Sequence, residues 1–589
     1  MINFLLRQKA IIGLVAILCT IHFLSKDITS HYERPIAGDA QAYYAYLPAI
    51  FIYQDLDYDF IDKAAAPHYA PAHLKDFVVD VEGEKVNKTF PGVTVLYTPF
   101  FLAGHLSAKI LGKPADGYSS IYQLWFDIGI WFYFFFSLVF LRKSLEKLRF
   151  SSKTALFTVF LIALGTNVFF YTVYDQSVTH IHNFFMINGL ILCLLNFKEK
   201  PKTKWLVIAV ALLVLIGITR PTNIMVVGLI FFFFPSKDFY KSVFTKIFSK
   251  EIWKFVAVSL PILSLPFILW KLQTGNWVVY SYGEEGFDFT HPHFGEFLMS
   301  YTKGWFTYTP IALFILVPGL FLLFKFNKKQ FGIALGFYLI TVYVFSSWWC
   351  WYYGAGMSQR VMIDHYILLA YLFALILKYL EVKPALKKWT VLIVGCCVFL
   401  NIGQAYQIKN GIIQFGSATK QQYWDNFLAF DQQARVYPKD HWTFIEKISL
   451  SEGDPTWGDD EKFHSRFDNS FVSQEQPYSN IVWHYFSKDS VNVTSKFILS
   501  FEMQAKSEIE NTRAVLILQN RDNFKEEVTF PIYFKEFAKP EKWVDLEFLI
   551  EPNGTYTDTL KLFFWNGNSN EKAVFRKVKV SHYQSDEYM

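Results

Sequence analysis

The sequence predicts a polytopic α-helical membrane protein with about eleven transmembrane helices, followed by a C-terminal all-β sandwich of jelly-roll type. Three observations predict it. The 589 residues are 52% hydrophobic and 19% aromatic, with 63 phenylalanines, too apolar for an ordinary soluble chain. Uncharged runs long enough to cross a bilayer recur up to about residue 406. Beyond that point the pattern changes to polar, turn-bounded segments. The chain therefore reads as a membrane domain at 1–406, a partly helical connector at 407–439 and a soluble β domain at 440–589.

The first apolar run, at 9–27, follows Arg7 and Lys9 and lacks a small-residue cleavage site, so it reads as a retained signal anchor. The other spans fall near 118–141, 154–172, 181–197, 205–219, 221–235, 252–272, 305–325, 331–349, 361–380 and 389–406. Segment 90–112 decides the sidedness. Read as an interfacial or re-entrant helix, it leaves the clusters around Arg142–Lys153, Lys198–Lys204, Lys237–Lys250, Lys325–Lys329 and Lys383–Lys388 all on the cytoplasmic side. The N-terminus is then cytoplasmic. Segments 28–117, 173–180, 273–304 and 350–360 and the β domain face the other side, which for a bacterial inner membrane is the periplasm.

The net charge of +5 is spread over short clusters between spans and is not a nucleic-acid signature. The five cysteines lie in or at the end of apolar runs, so there is no disulfide framework, and a thiolate metal site is not indicated. In the β domain, "KFILSFEMQAKS", "TRAVLILQNR", "VTFPIYFKEF", "KWVDLEFLIEP", "TLKLFFWNG" and "AVFRKVKVSHY" read as strands, several alternating as a two-sheet sandwich requires. Its Trp and Tyr residues either fill the core or stack on carbohydrate.

The polar chemistry collects at the outer ends of the spans. In "GDAQAYYAYLPAIF", Asp39 either caps the helix that follows or accepts a proton from a substrate hydroxyl, and the two roles are compatible. Tyr43 and Tyr46 share its helix face and would wall a site. Asp55, Asp57, Asp59 and Asp62 read as solvated. "YDQSVTHIHNFF" supplies a second carboxylate, Asp175, with His180 and His182. Arg220 in "ITRPTN" sits between two short spans, a setting typical of a cavity edge. With Lys303 and Arg360 it is a candidate for gripping a phosphate. The plain alternative pairs Arg360 with Asp364, four residues on. The aromatic, glycine-punctuated loop 281–304 contains Glu284 and His291 and suits a substrate cover.

These segments resemble the GT-C class of polyprenyl-phosphate-sugar-dependent glycosyltransferases, which includes the protein O-mannosyltransferases and the lipid A aminoarabinose transferases. The resemblance covers roughly 1–406. It rests on the order and sidedness of "GDAQAYYAYLPAIF", "NKTFPGVTVLYTPFFLAGHL", "ITRPTN" and "GAGMSQRVMIDHY". "SYGEEGFDFTHPHF" and "NIGQAYQIKNGIIQF" look similar to Bacteroidetes members of the class. The resemblance implies Asp39 at the active site and Asp175 as the assisting acid. Where a mannosyltransferase has a Lys-Pro-Pro-like stretch, this chain has "FPG".

The implied function is transfer of a sugar from a polyprenyl-phosphate donor to a hydroxyl of a protein, lipid A or a glycan, with inversion and with Asp39 as base. Arg220, Arg360 and Lys303 would cradle the donor phosphate. No cofactor is required; a divalent ion such as Mg or Mn on Asp39 and Asp175 is compatible with the scheme. The rival classes are a transporter or flippase, which typically shows internal repeats and charges in broken mid-membrane helices, and a non-catalytic envelope scaffold. No clear repeat occurs in the sequence, and the spans are almost free of charge.

Overall fold

A computed structural model describes residues 8–25, 35–65, 75, 77–283, 285–413, 418 and 420–430, together with the strands of the C-terminal region and a few residues beside them. The chain divides into two compact units, Met1–Arg435 and Val436–Met589.

Among the described residues of the first unit, six helices are long and apolar enough to cross a membrane: Ser120–Lys147, His180–Glu199, Ile252–Thr274, Lys328–Ser346, Arg360–Leu380 and Ala385–Lys409. Five shorter apolar helices, Lys9–Ser25, Ser152–Gly165, Thr203–Thr219, Pro221–Phe233 and Pro310–Phe326, coincide with the remaining runs read from the sequence.

One short helix ends in a polar knot. The Ser152–Gly165 helix stops at Thr166 and Asn167 and resumes as Val168–Val173. The carbonyls of Leu164 and Thr166 both accept from Asn401 Nδ2 at 2.9 Å, and that of Thr166 also accepts from the Phe169 amide. Asn167 in turn donates to the Gln359 carbonyl and accepts from the Tyr366 hydroxyl. A break in an apolar environment is tolerated when neighbouring side chains satisfy the backbone in this way.

Gly92–Ile110 is not among the long apolar helices; Thr94, Thr98, His105 and Lys109 interrupt it. It runs antiparallel to the first half of Ser120–Lys147. Tyr133 donates to the Leu96 carbonyl at 2.6 Å, Tyr97 stacks on Phe126 at 4.1 Å, and His105 bonds the Tyr122 hydroxyl at 2.6 Å. Gly129 leaves room for the ring of Phe100.

The tyrosines of "DAQAYYAYLP" explain why the Asp39–Pro48 helix stays docked. Each is buried, and each hydroxyl finds a backbone carbonyl: Tyr43 that of Ser177, Tyr44 that of Gly117, and Tyr46 that of Thr89. Buried tyrosines with satisfied hydroxyls combine apolar area with fixed direction. Downstream, Asp55 caps the turn at Asp57 and Phe60, while Asp59 and Asp62 meet Lys75 and Lys85 at the surface.

Among its described residues, the second unit has two main antiparallel sheets. One runs in the order Glu527–Tyr533, Arg513–Gln519, Thr559–Trp565, Val482–Tyr485. The other runs Val544–Ile550, Ser495–Ala505, Ala573–Ser585, Trp442–Ser449. Both contribute to one core in which Phe564 stacks on Phe575 at 3.8 Å. Each of the six strand segments read from the sequence contains a strand: Ser495–Ala505, Arg513–Gln519, Glu527–Tyr533, Val544–Ile550, Thr559–Trp565 and Ala573–Ser585. Of the aromatics at their ends, Trp565 and Trp543 are each stacked by a guanidinium, Arg513 at 3.8 Å and Arg576 at 3.9 Å. In the span expected to connect the units, Lys420–Asp425 is helical, and 431–439 lie outside the described residues.

Candidate functional site

Asp39 is the first residue of its helix, not the cap. Gly38 holds that position with φ +50°, and no side chain caps the helix. The capping role is therefore corrected. The carboxylate instead faces Arg360, whose guanidinium donates to Oδ2 at 2.9 Å. The Asp39 side chain is 55% exposed and that of Arg360 15%, so the pair sits at a surface with the cation more deeply set. Arg360 thus does not pair with Asp364, the partner its spacing suggested.

The two elements meet through the Asp175 loop. Asp175 Oδ1 accepts from the amide and hydroxyl of Ser177, an Asx-type turn. The Ser177 carbonyl receives Tyr43, and its side chain lies against Gly38. Asp175 is therefore placed beside the start of the Asp39 helix, in electrostatic reach of Arg360 and Tyr43.

A second cluster orients Arg220. Asp364 Oδ1 is 2.7 Å from His180 Nδ1, and its Oδ2 accepts from Asn183 at 3.1 Å and from Asn223 at 2.7 Å. His180 Nε2 lies 2.9 Å from Arg220 Nη1. A guanidinium can only donate, so Nε2 is the acceptor and Nδ1 carries the proton given to Asp364. The chain Asp364–His180–Arg220 fixes one tautomer and one guanidinium direction. His180 is in electrostatic reach of both Arg220 and Arg360, and Tyr353 lies under Arg220 with 5.8 Å to its ring centroid.

Pro91–Gly92 and Thr219–Arg220 are adjacent in space. A Cβ on Gly92 would come to 2.6 Å from the Thr219 amide nitrogen. Thr94 Oγ1 donates to the Tyr43 carbonyl at 2.6 Å, joining this junction to the Asp39 helix. Lys88 in the same "NKTFPG" segment pairs with Glu285 and lies over the Tyr282 ring at 5.5 Å. Burial pushes the Tyr282 phenol up, Arg220 opposes this, and Asp39 and Glu285 add to it.

Several expected site residues go elsewhere. Tyr43 and Tyr46 bury their hydroxyls in backbone contacts and do not wall an open site. His182 is buried between Tyr97 and Tyr133 with both ring nitrogens unpartnered among the described residues. Lys303 is 1% exposed and donates to the Gly356 carbonyl, so its ammonium is not open to a phosphate. His291 is 82% exposed and pairs with Asp288 on the surface of its own loop. Glu284 lies outside the described residues. Asp39, Asp175, Arg360, Arg220 and His180 are brought together. Sequence reasoning gave no site role to Asp364, Asn183, Asn223 or Lys88, although all four stand inside the quoted segments.

Among the described residues, no three His, Cys, Asp or Glu side chains are grouped to hold a metal ion. An apolar groove of about 550 Å³ lies between the Val226–Phe233 and Lys328–Ser346 helices, lined by Gly228, Phe231, Gly332, Gly336, Phe337 and Ile340 among others. Met225 also lines it, two residues from Asn223, and Phe337 meets His365 edge-on at 5.2 Å.

No protein-family model and no curated protein matches the chain. Among solved structures, the cryo-EM structure of arabinosyltransferase EmbB from Mycobacterium smegmatis matches with a TM-score of 0.29 at 10% identity. The match covers 79% of this chain and 58% of that one, so the chain spans under two thirds of that protein's length. A likeness of that size identifies neither the fold nor an activity.

Proposed function

We propose that the chain is an integral membrane glycosyltransferase of the GT-C type, taking a sugar from a polyprenyl-phosphate donor and passing it to a hydroxyl acceptor. The observation that carries this reading is the Asp39–Arg360 pair at 2.9 Å, with a second arginine, Arg220, aimed by His180 and Asp364. A carboxylate open to solvent beside two oriented guanidinium groups suits a base next to a phosphate cradle. The motif resemblance supports the same reading.

The chemistry then runs as one displacement. The donor phosphate replaces the Asp39 carboxylate on Arg360 and also meets Arg220. The acceptor oxygen attacks the anomeric carbon from the face opposite the phosphate, and the bond from that carbon to the phosphate oxygen breaks. The acceptor proton passes to Asp39. The polyprenyl phosphate leaves with one more negative charge than it had as the diester, which the arginines stabilise. Inversion follows from the single displacement. The groove beside Met225 would take the lipid tail. A divalent ion shared by Asp39 and Asp175 would have to displace Arg360 from Asp39, and no step is routed through one.

The test is transfer of label from a polyprenyl-phosphate sugar by membranes containing the chain, with Asp39→Asn beside wild type. Loss of transfer in the variant supports the scheme. Full product from the variant removes Asp39 as base, and no transfer by wild type with any lipid donor favours the transporter or scaffold classes.

A further inference from the structure

Arg360 is reached through an unfavourable turn. In residues 353–359, Tyr353, Gly354, Gly356 and Ser358 have φ of +55°, +66°, +115° and +58°. For the two that carry side chains, this conformation costs about 1–2 kcal/mol each. The Gln359 side-chain amide and Arg360 Nε are also buried there without hydrogen-bond partners among the described residues. Such a turn persists only where its surroundings over-determine it.

The surroundings are specific. Tyr171 backs Gly356 so closely that a Cβ there would come to 3.0 Å from its ring Cζ. Thr309 Oγ1 holds the Ser358 hydroxyl at 3.0 Å, and Asn167 holds the Gln359 carbonyl at 3.2 Å. The middle of the turn is held by Lys303, which donates to the Gly356 carbonyl. Lys303 is itself set by a tight bend, with its amide on Ser300 Oγ and Gly304 packed against the Ser300 backbone. A lysine placed wholly inside the protein is costly, and here its ammonium is spent on one carbonyl four residues before Arg360.

We propose that Lys303 is a positioning residue for Arg360: it clamps the Gly356 carbonyl and so fixes the turn from which the guanidinium reaches Asp39 and the donor phosphate. The phosphate part rests on the function proposed above. The charged and titratable groups facing Lys303 are Arg360, Asp175 and Cys350. Burial pushes the ammonium well below the ordinary lysine range, Arg360 pushes the same way, and Asp175 and Cys350 oppose.

Undecaprenyl phosphate, the lipid product that an undecaprenyl-monophosphate sugar donor leaves behind, is the probe, titrated into the full-length protein in nanodiscs. Lys303→Met is expected to weaken its binding at least tenfold and to speed amide exchange across 353–359. Tyr308→Phe removes a different buried hydrogen bond of the same region, to the Tyr301 carbonyl, and should do neither at a comparable loss of Tm. Lys303→Arg should restore most of the binding. Unchanged exchange across 353–359 in a folded Lys303→Met protein overturns the clamp, as does a folded Lys303→Arg protein that binds the probe at least tenfold more weakly than wild type. If Lys303→Met does not fold, the Lys303→Arg measurements decide. If wild type and Arg360→Gln bind the probe equally, the phosphate reading fails, while the exchange measurement still decides the clamp.

Discussion

Gly92 starts its helix against the backbone of Thr219, and a methyl group on Gly92 would meet the Thr219 amide nitrogen at 2.6 Å and its Cα at 2.7 Å. Backbone cannot step aside as a side chain can. The contact joins "FPG" to "TRP" and leaves Arg220 as the next residue. Gly92→Ala should cost about 1–3 kcal/mol of stability. Because the displacement passes to Arg220, it should also weaken undecaprenyl phosphate binding more than a stability-matched change elsewhere. Thermal unfolding and titration of the lipid check both, and wild-type affinity in the variant would place Arg220 outside the phosphate site.

Asp39 and a donor phosphate compete for the same guanidinium. Asp39→Asn removes the charged competitor from Arg360, so undecaprenyl phosphate should bind as well as to wild type or several-fold more tightly. Turnover should fall by about 10²–10⁴ with the base gone. Arg360→Gln should show the opposite pattern in affinity. Parallel Kd and transfer measurements separate them; weaker lipid binding in Asp39→Asn would contradict the competition.

Tyr43 is a docking residue in this structure. Tyr43→Phe keeps the ring stacked 6.3 Å from Tyr97 and loses only the hydrogen bond to the Ser177 carbonyl. The expected cost is about 1–2 kcal/mol, because the carbonyl is left unsatisfied. Turnover per folded molecule should stay within a few-fold of wild type. A loss as deep as that of Asp39→Asn would return Tyr43 to the reacting centre.

The helices were legible because long apolar runs and basic loops leave strong marks on composition, and Asp39, Asp175 and Arg220 could be grouped by counting sides. What could not be read was direction. Lys303 and Arg360 have the same sidedness, yet one points inward to a carbonyl and the other outward to a carboxylate. That difference depends on left-handed residues at Tyr353 and Ser358, which no residue-type preference announces. Tyr43 and Tyr46 share a face with Asp39, but their length carries their hydroxyls past the opening into backbone contacts. His180 and His182 are two apart: one ends in the Asp364 cluster, the other among rings, because alternate helix positions face different neighbours.

Asp364 offers the sharpest separation of charge from shape. Its carboxylate accepts three hydrogen bonds, from His180 on one oxygen and from Asn183 and Asn223 on the other. Asn at this position keeps the shape but has only one acceptor atom. If its oxygen stays toward the two asparagines, its NH₂ faces His180 Nδ1, which must then become the acceptor. The ring proton moves to Nε2 and opposes the Arg220 N–H. If the amide flips, His180 keeps its tautomer but Asn183 and Asn223 face a donor, at a cost of about 1–3 kcal/mol. In the first arrangement Arg220 loses its direction; in the second the junction at Asn223, three residues away, is disturbed. Asp364→Asn should therefore lower undecaprenyl phosphate affinity about as much as Arg220→Gln. The two changes together should cost little more than either alone, since both act through one guanidinium. A double-variant cycle on Kd tests this, and full additivity would show that Asp364 does not act through Arg220.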